Sequence, residues 1–174
     1  MFGAWRNLFF HGFNRTEYRS ACSNTLEQTI MTAADLVFRD FEPADAASVT
    51  ELWQECGLTR PWNDPVKDIE RKLTDRNGAF WVVCRGSAVI ASVMIGYDGH
   101  RGTINYLAIA PAFQRSGVGA ELMRRAEAFL VDIGCPKVSF CVRKDNHAVL
   151  SFYDRLGYAA DDVYFLGKRL IPDK

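Results

Sequence analysis

Between residues 79 and 110 the chain carries three apolar β-type runs separated only by short turns, and no other stretch constrains the fold as strongly. The runs are Ala-Phe-Trp-Val-Val-Cys at 79–84, Ala-Val-Ile-Ala-Ser-Val-Met-Ile-Gly at 88–96, and the stretch 103–110. Arg85-Gly86-Ser87 joins the first two, and Tyr97-Asp98-Gly99-His100-Arg101-Gly102 leads into the third. Parallel neighbours need a crossover of about a dozen residues or more, so connections this short predict an antiparallel meander.

Helical stripes flank that meander. Leu-Val-Phe-Arg-Asp-Phe at 36–41 reads as a short strand. Pro43 and Asp45 then open a helix with Ala46, Val49, Leu52, Trp53 and Cys56 on one face and Gly57 as its stop. Asp64 as N-cap and Pro65 at the first helical position start a second helix, marked by Val66, Ile69 and Leu73. Beyond the meander, Gly117–Ile133 reads as a helix with Val118, Leu122, Ala126, Phe129, Leu130 and Ile133 on its apolar stripe. Glu121 is placed to pair with Arg125 one turn on, and Gly134 ends the helix. Residues 136–142 read as a strand, Asp145 as the start of a helix to about Leu156 with Gly157 as its stop, and 162–171 as holding a final strand. The unit 103–142 is then expected to be a right-handed parallel crossover. This order predicts an α/β (α+β) domain: a mixed sheet with helices on both faces.

Composition removes several classes. The 21 basic and 21 acidic residues cancel, which argues against a nucleic-acid partner and an acidic tail. The chain has 48% apolar and 24% charged residues over 174 positions, enough for a core that needs no metal or disulfide. Residues 1–30 hold six aromatics but no long apolar run, so neither a membrane span nor a secretory signal is expected. They read as an N-terminal extension, flexible or upstream of a start at Met31, with 31–174 as the single domain. Five cysteines without a C-x-x-C pair, and three scattered histidines, predict reduced thiols, no metal and a cytoplasmic setting.

Chemistry enters at Pro111-Ala112-Phe113-Gln114-Arg115-Ser116-Gly117-Val118-Gly119-Ala120, between a strand and a helix. Two glycines allow close backbone approach, and the unsatisfied N–H groups of a first helical turn favour an anion such as phosphate. A Rossmann reading fails: six residues separate the strand from the glycines, and Leu122 stands where the third glycine belongs. A Walker loop fails because no Gly-Lys-Ser/Thr follows. A second segment, Asn146-His147-Ala148-Val149-Leu150-Ser151-Phe152-Tyr153-Asp154-Arg155-Leu156-Gly157-Tyr158, follows the next strand-like run.

Gln-x-x-Gly-x-Gly at 114–119, followed by Asn-x-Ala-x-x-x-x-Tyr-x-x-x-Gly-Tyr at 146–158, resembles the GNAT superfamily of N-acetyltransferases. Arg60-Pro61-Trp62-Asn63-Asp64-Pro65, the 96–102 turn and Leu166-Gly167-Lys168-Arg169-Leu170 resemble the YpeA-type bacterial acetyltransferases within it. The resemblance covers roughly residues 36–171. It implies a mostly antiparallel sheet of 6–7 strands, about four helices on its two faces, and a splayed parallel strand pair into which acetyl-CoA enters. It implies that the amides of Gln114, Arg115, Ser116, Gly117, Val118, Gly119 and Ala120 cradle the pyrophosphate. Leu107, Ala108 and Ile109 would bind the pantetheine arm and lend an amide to the thioester carbonyl. Asn146 would contact the same arm, and Tyr153 would act as general acid toward the departing thiolate.

The acceptor side is more open. His100 is a candidate base by its intrinsic pKa, with Glu70, Asp64, Asp68 and Asp98 as carboxylates able to act through water. Arg60, Trp62, Asn63, Asp64 and Arg101 are candidates to line the acceptor pocket, where an arginine would fix a carboxylate and Trp62 would cover a cationic group. The expected acceptor is a small-molecule amine or a peptide, and the expected assembly a monomer or homodimer. The alternative is a catalytically silent acyl-CoA-binding sensor or scaffold.

Overall fold

The computed structural model describes residues 35–172; the expectations for residues 1–30 and for Met31 lie outside the described residues. Four strands, β1 (Leu36–Asp40), β2 (Ala79–Arg85), β3 (Ala88–Tyr97) and β4 (Gly102–Ile109), form one sheet in chain order. All three pairings are antiparallel, as the short turns require. Four helices accompany them: α1 (Ala46–Glu55), α2 (Pro65–Leu73), α3 (Val118–Asp132) and α4 (His147–Arg155). No described helix is long and apolar enough to cross a membrane.

The period-two alternation of the strands feeds two separate cores. Phe80, Val82, Cys84 and Met94 face Val49, Leu52 and Trp53 of α1 and Ile69 of α2. Val83, Val93, Ile95 and Ile104 face Val118, Leu122, Met123, Ala126 and Leu130 of α3 and Tyr153 of α4. Helices therefore cover both faces of a mixed α+β fold. The local signals explain the boundaries. Asp64 caps α2 by accepting from the N–H groups of Val66 (2.9 Å) and Lys67 (3.4 Å), ahead of Pro65. A left-handed glycine, Gly134 (φ 80°), follows the C-terminus of α3.

Four expectations need correction. The sheet has four strands among the described residues, not 6–7. Residues 136–142 form no strand: a single parallel bridge joins Val138 to Gly102, through Gly102 N–H to the Lys137 carbonyl and Ser139 N–H to the Gly102 carbonyl, both 2.9 Å. The expected parallel pair is reduced to that bridge. Val138, Phe140 and Val142 still pack on the α3–α4 core, so the alternation in the sequence reflects one-sided burial without a ladder. Residues 162–171 form no strand either. Val163, Tyr164, Phe165 and Leu166 are exposed, and the segment is tied by side chains, Lys137 Nζ to Asp161 (2.6 Å) and Arg169 to Asn63 Oδ1 (3.1 Å). Finally, the cap of α4 is Asn146, one residue after the expected start: its Oδ1 accepts from Val149 N–H (3.3 Å).

One polar link crosses the α1-side core. Ser92 is fully buried, accepts from Trp53 Nε1 (2.8 Å) and donates to the Tyr106 carbonyl (3.1 Å). Ser92→Ala strands the indole N–H, and a buried unpaired donor costs about 1–3 kcal/mol. Urea unfolding of that variant is expected to show a lower midpoint with an unchanged slope, the unfolding free energy falling by that amount.

Candidate active site

The central irregularity lies in β4. Ser92 pairs with Ala108 and Met94 with Asn105, so Tyr106 and Leu107 together oppose Val93. This is a β-bulge, which bends the strand and takes main-chain groups out of the ladder. Tyr106 has φ 50°, a left-handed conformation that costs an L-residue about 1–2 kcal/mol. Three contacts hold it there. Its ring stacks on Trp53 (centroids 3.8 Å apart, 18° between planes), its hydroxyl donates to Asp68 Oδ2 (2.6 Å), and its carbonyl accepts from Ser92. Leu107, Ala108 and Ile109 run from this bulge to the strand end, with Ala108 buried.

Past Ile109, a 3-10 turn (Pro111–Phe113) leads into the glycine loop. Gln114 Nε2 donates back to the Ile109 carbonyl (3.1 Å), and Ser116 Oγ donates to the Phe113 carbonyl. Arg115 and Gly117 both have positive φ, 59° and 91°. Gly117 is the N-cap of α3 and offers no side chain, while its carbonyl accepts from Glu121 N–H (3.0 Å). The N–H groups of Val118, Gly119 and Ala120 therefore have no intrahelical partner and no side-chain cap, which is the arrangement that receives an anion. Beside them, an open cleft of about 400 Å³ is lined by Gly117, Ala120, Glu121, Arg124 and Leu156. Glu121 is held by Arg124 and Arg125 (each 2.7 Å), which keeps its carboxyl ionised down to about 2.

Gly119 is where three elements meet. A Cβ there would stand 3.4 Å from the Phe152 ring and 3.6 Å from Ile109. The start of α3, the end of β4 and α4 thus converge at a position that only a very small residue fills. Next to Phe152, Tyr153 is buried among Phe140, Phe152 and Tyr158. No sealed-in side-chain oxygen or nitrogen lacks a partner among the described residues. The Tyr153 hydroxyl, which has no partner there, is therefore not fully sealed from solvent. Burial of the ring pushes its pKa up to about 12, so the phenol keeps its proton at neutral pH.

The remaining sequence candidates separate into groups. His100 and Arg101 lie in the β3–β4 turn, where the Asp98 carboxylate accepts both their N–H groups at 2.7 Å. That turn precedes β4, so most of the strand separates it from Leu107, roughly 20 Å at strand rise. The structure does not bring these two residues to the bulge. Arg60 is spent on the carbonyls of Gly57 (2.7 Å) and Thr59 (2.8 Å), and Asp64 on its cap. Trp62 is half exposed. Asn63 donates to Asp68 Oδ2 (3.3 Å) and accepts from Arg169. Tyr106 escaped the sequence reading, because a bulge is a property of register and leaves no mark in residue type.

A sheet edge carrying a bulge, an uncapped helix N-terminus beside it and the helix of a buried phenol thus come together around Gly119. Residues 40–158 match the Acetyltransferase (GNAT) family. The chain is 46% identical over 136 residues to the acetyltransferase YE1169 of Yersinia enterocolitica, covering 78% of this chain and 96% of that one. It belongs to the GNAT acetyltransferase family and is a transferase. Among solved structures, the aminoglycoside acetyltransferase AAC(6')-Iy in complex with a bisubstrate analog superposes with a TM-score of 0.65 at 16% identity, over 78% of this chain and 99% of that one. The ribosomal-protein-S18-alanine N-acetyltransferase of Escherichia coli gives 0.61 at 20% identity, over 70% and 76%. These two show a shared fold.

The tyrosine environment has a consequence for stability. An unfolded tyrosine ionises near pH 10, Tyr153 near 12 in the fold, and Tyr158 is raised too, by burial and its bond to Glu127. The folded state binds these protons more tightly, so their contribution is complete below about pH 10 and is lost as pH rises toward 12. The urea midpoint is expected to fall across that window, and to fall less in Tyr153→Phe.

Proposed function

We propose that the chain transfers the acetyl group of acetyl-CoA to a primary amine of a small molecule or peptide, by direct attack through a tetrahedral intermediate. The observation that carries this reading is the convergence at Gly119, which puts an anion-receiving helix start, a bulged strand end and the Tyr153 helix side by side. The residues suit acetyl-CoA. The uncapped amides of Val118–Ala120 and the left-handed Gly117 would receive the pyrophosphate, as would the backbone of Gln114–Ser116. The main chain at Leu107–Ile109 would take the pantetheine arm, and an amide freed by the bulge would take up charge on the thioester carbonyl. Asn146 keeps its amide nitrogen for the same arm, since only its Oδ1 is used in capping.

Tyr153 is the proton donor on this reading. Its buried phenol stays protonated and its hydroxyl remains accessible, which is what the departing sulfur requires. Four described cysteines are free thiols, consistent with a reducing, cytoplasmic setting. Kinship with the YpeA-type enzymes rests on Leu52-Trp53 and the 60–65, 68–72, 96–102 and 166–170 segments.

Thiol release with acetyl-CoA and a panel of amines and peptides tests the proposal. Turnover supports it, whereas binding of acetyl-CoA without turnover on any acceptor makes the chain a sensor. Tyr153→Phe is expected to lower kcat by on the order of 10²-fold with nearly intact acetyl-CoA affinity. Gly117→Glu is expected to weaken acetyl-CoA binding, because it strains a left-handed residue and places negative charge at the helix start.

A further inference from the structure

Asp68 is the carboxylate most tightly built into the acceptor side, and its surroundings go beyond what helix α2 needs. Its side chain is only 18% exposed. Oδ2 accepts from Tyr106 Oη (2.6 Å) and Asn63 Nδ2 (3.3 Å), and Oδ1 accepts from Arg71 Nη1 (3.0 Å). The cap of α2 is already supplied by Asp64, so Asp68 is free of that duty. A carboxylate has about four lone-pair sites, and three are occupied. The fourth lies on Oδ1, which also accepts from the half-exposed i,i+3 Arg71.

The position matters more than the pairing. Tyr106 is the first bulge residue, directly before Leu107, so Asp68 is bonded to the point of β4 where the main chain leaves the ladder. Tyr106 packs with the α1–α2 core and Tyr153 belongs to the α3–α4 core. A thioester lying at the bulge would therefore have a proton donor on one face of the strand and an anion on the other. The amine adds to a face of the planar thioester and the sulfur departs from the tetrahedral intermediate, so a proton acceptor and a proton donor on separate sides of the strand can serve the two steps. Arg71, which donates to Asp68, also lines an open cleft of about 490 Å³ with Gly167, Lys168, Arg169, Leu170 and Ile171.

We infer that Asp68 seats the ammonium group of the acceptor and takes its proton during transfer, with Tyr106 as the residue that positions it. The inference rests on the acetyl-transfer reading above. The amine nitrogen bonds to the acetyl carbon and the carbon–sulfur bond breaks. The ammonium first gives one proton to Asp68, which passes it to water; as the amine adds and the sulfur leaves, the nitrogen gives its second proton to Asp68 and Tyr153 gives its own proton to the sulfur. Exchange with water returns both residues to their starting states, so the net products are an amide, a thiol and one proton released to solvent. The cations around the cleft, Arg71, Lys168 and Arg169, favour an acceptor that carries an anion near its amine.

That chemistry selects the probes. 4-Aminobutanoate presents an ammonium and a carboxylate. Its aminooxy analogue, 3-(aminooxy)propanoate, has the same length but a nucleophilic nitrogen that is neutral at neutral pH. With full-length protein, Asp68→Asn is expected to lower the ratio of kcat/KM for the ammonium probe over the aminooxy probe by on the order of 10²-fold, and Tyr106→Phe to lower it less. Acetyl-CoA affinity and the thermal midpoint of each variant are measured alongside. The inference is overturned if both probes lose rate alike, which marks a structural role, or if the ratio does not move. It is also overturned if the parent protein binds acetyl-CoA but acetylates neither probe. Failure of the parent to bind acetyl-CoA instead overturns the acetyl-transfer reading itself.

Discussion

Much of this molecule turns on the way Tyr106 is held. An L-residue in a left-handed conformation inside a strand persists only when its surroundings fix it from several sides. Here the ring rests on Trp53, the carbonyl takes a hydrogen bond from Ser92, and the hydroxyl binds Asp68. Trp53 belongs to α1, Ser92 to β3 and Asp68 to α2, so three elements distant in sequence agree on one backbone angle. Because the bulge fixes the phase of β4 beyond it, the same agreement sets the direction in which Leu107, Ala108 and Ile109 approach the glycine loop.

The second dependence is steric. At Gly102 an added Cβ would come within 2.9 Å of Leu130 and 3.0 Å of Cys135, and at Gly119 within 3.4 Å of Phe152. One glycine sits where β4 meets the 136–142 segment, the other where β4 meets α3 and α4. The Gly102 end of the strand is thus set by close approach, its far end lies in ordinary contact distance of α3 and α4, and its middle is set by the bulge. Neutral net charge fits this arrangement, since an anion at the start of α3 would be met by main-chain donors without a basic surface.

The sequence made the local decisions readable and left the long-range ones hidden. Asp64-Pro65 marks the start of α2, and the three apolar runs with short turns leave the meander no other pairing. Gln114, Gly117 and Gly119 stand out because glycine spacing is a local signal. Whether an alternating segment joins a ladder is a different matter. Residues 136–142 bury their alternate side chains yet share one bridge with β4, and the 162–171 segment leaves its apolar side chains exposed. In the sequence Asp68 is one of four carboxylates able to serve as a base, with nothing to set it above Glu70, Asp64 or Asp98. Only the register of β4 brings a tyrosine 38 positions away onto it.

The division of the interior into two cores has a consequence for descent. Trp53, Ile69 and Tyr106 are on one side of the sheet, and Leu122, Tyr153 and Phe152 are on the other. Substitutions well apart and without shared partners add their effects nearly independently. A lineage built on this plan can therefore drift on the α1–α2 side, changing what it admits there, while the α3–α4 side stays under its own separate selection. Diversification of one half need not be matched by compensation in the other, whereas β2, β3 and β4, which contribute to both cores, have less room to vary.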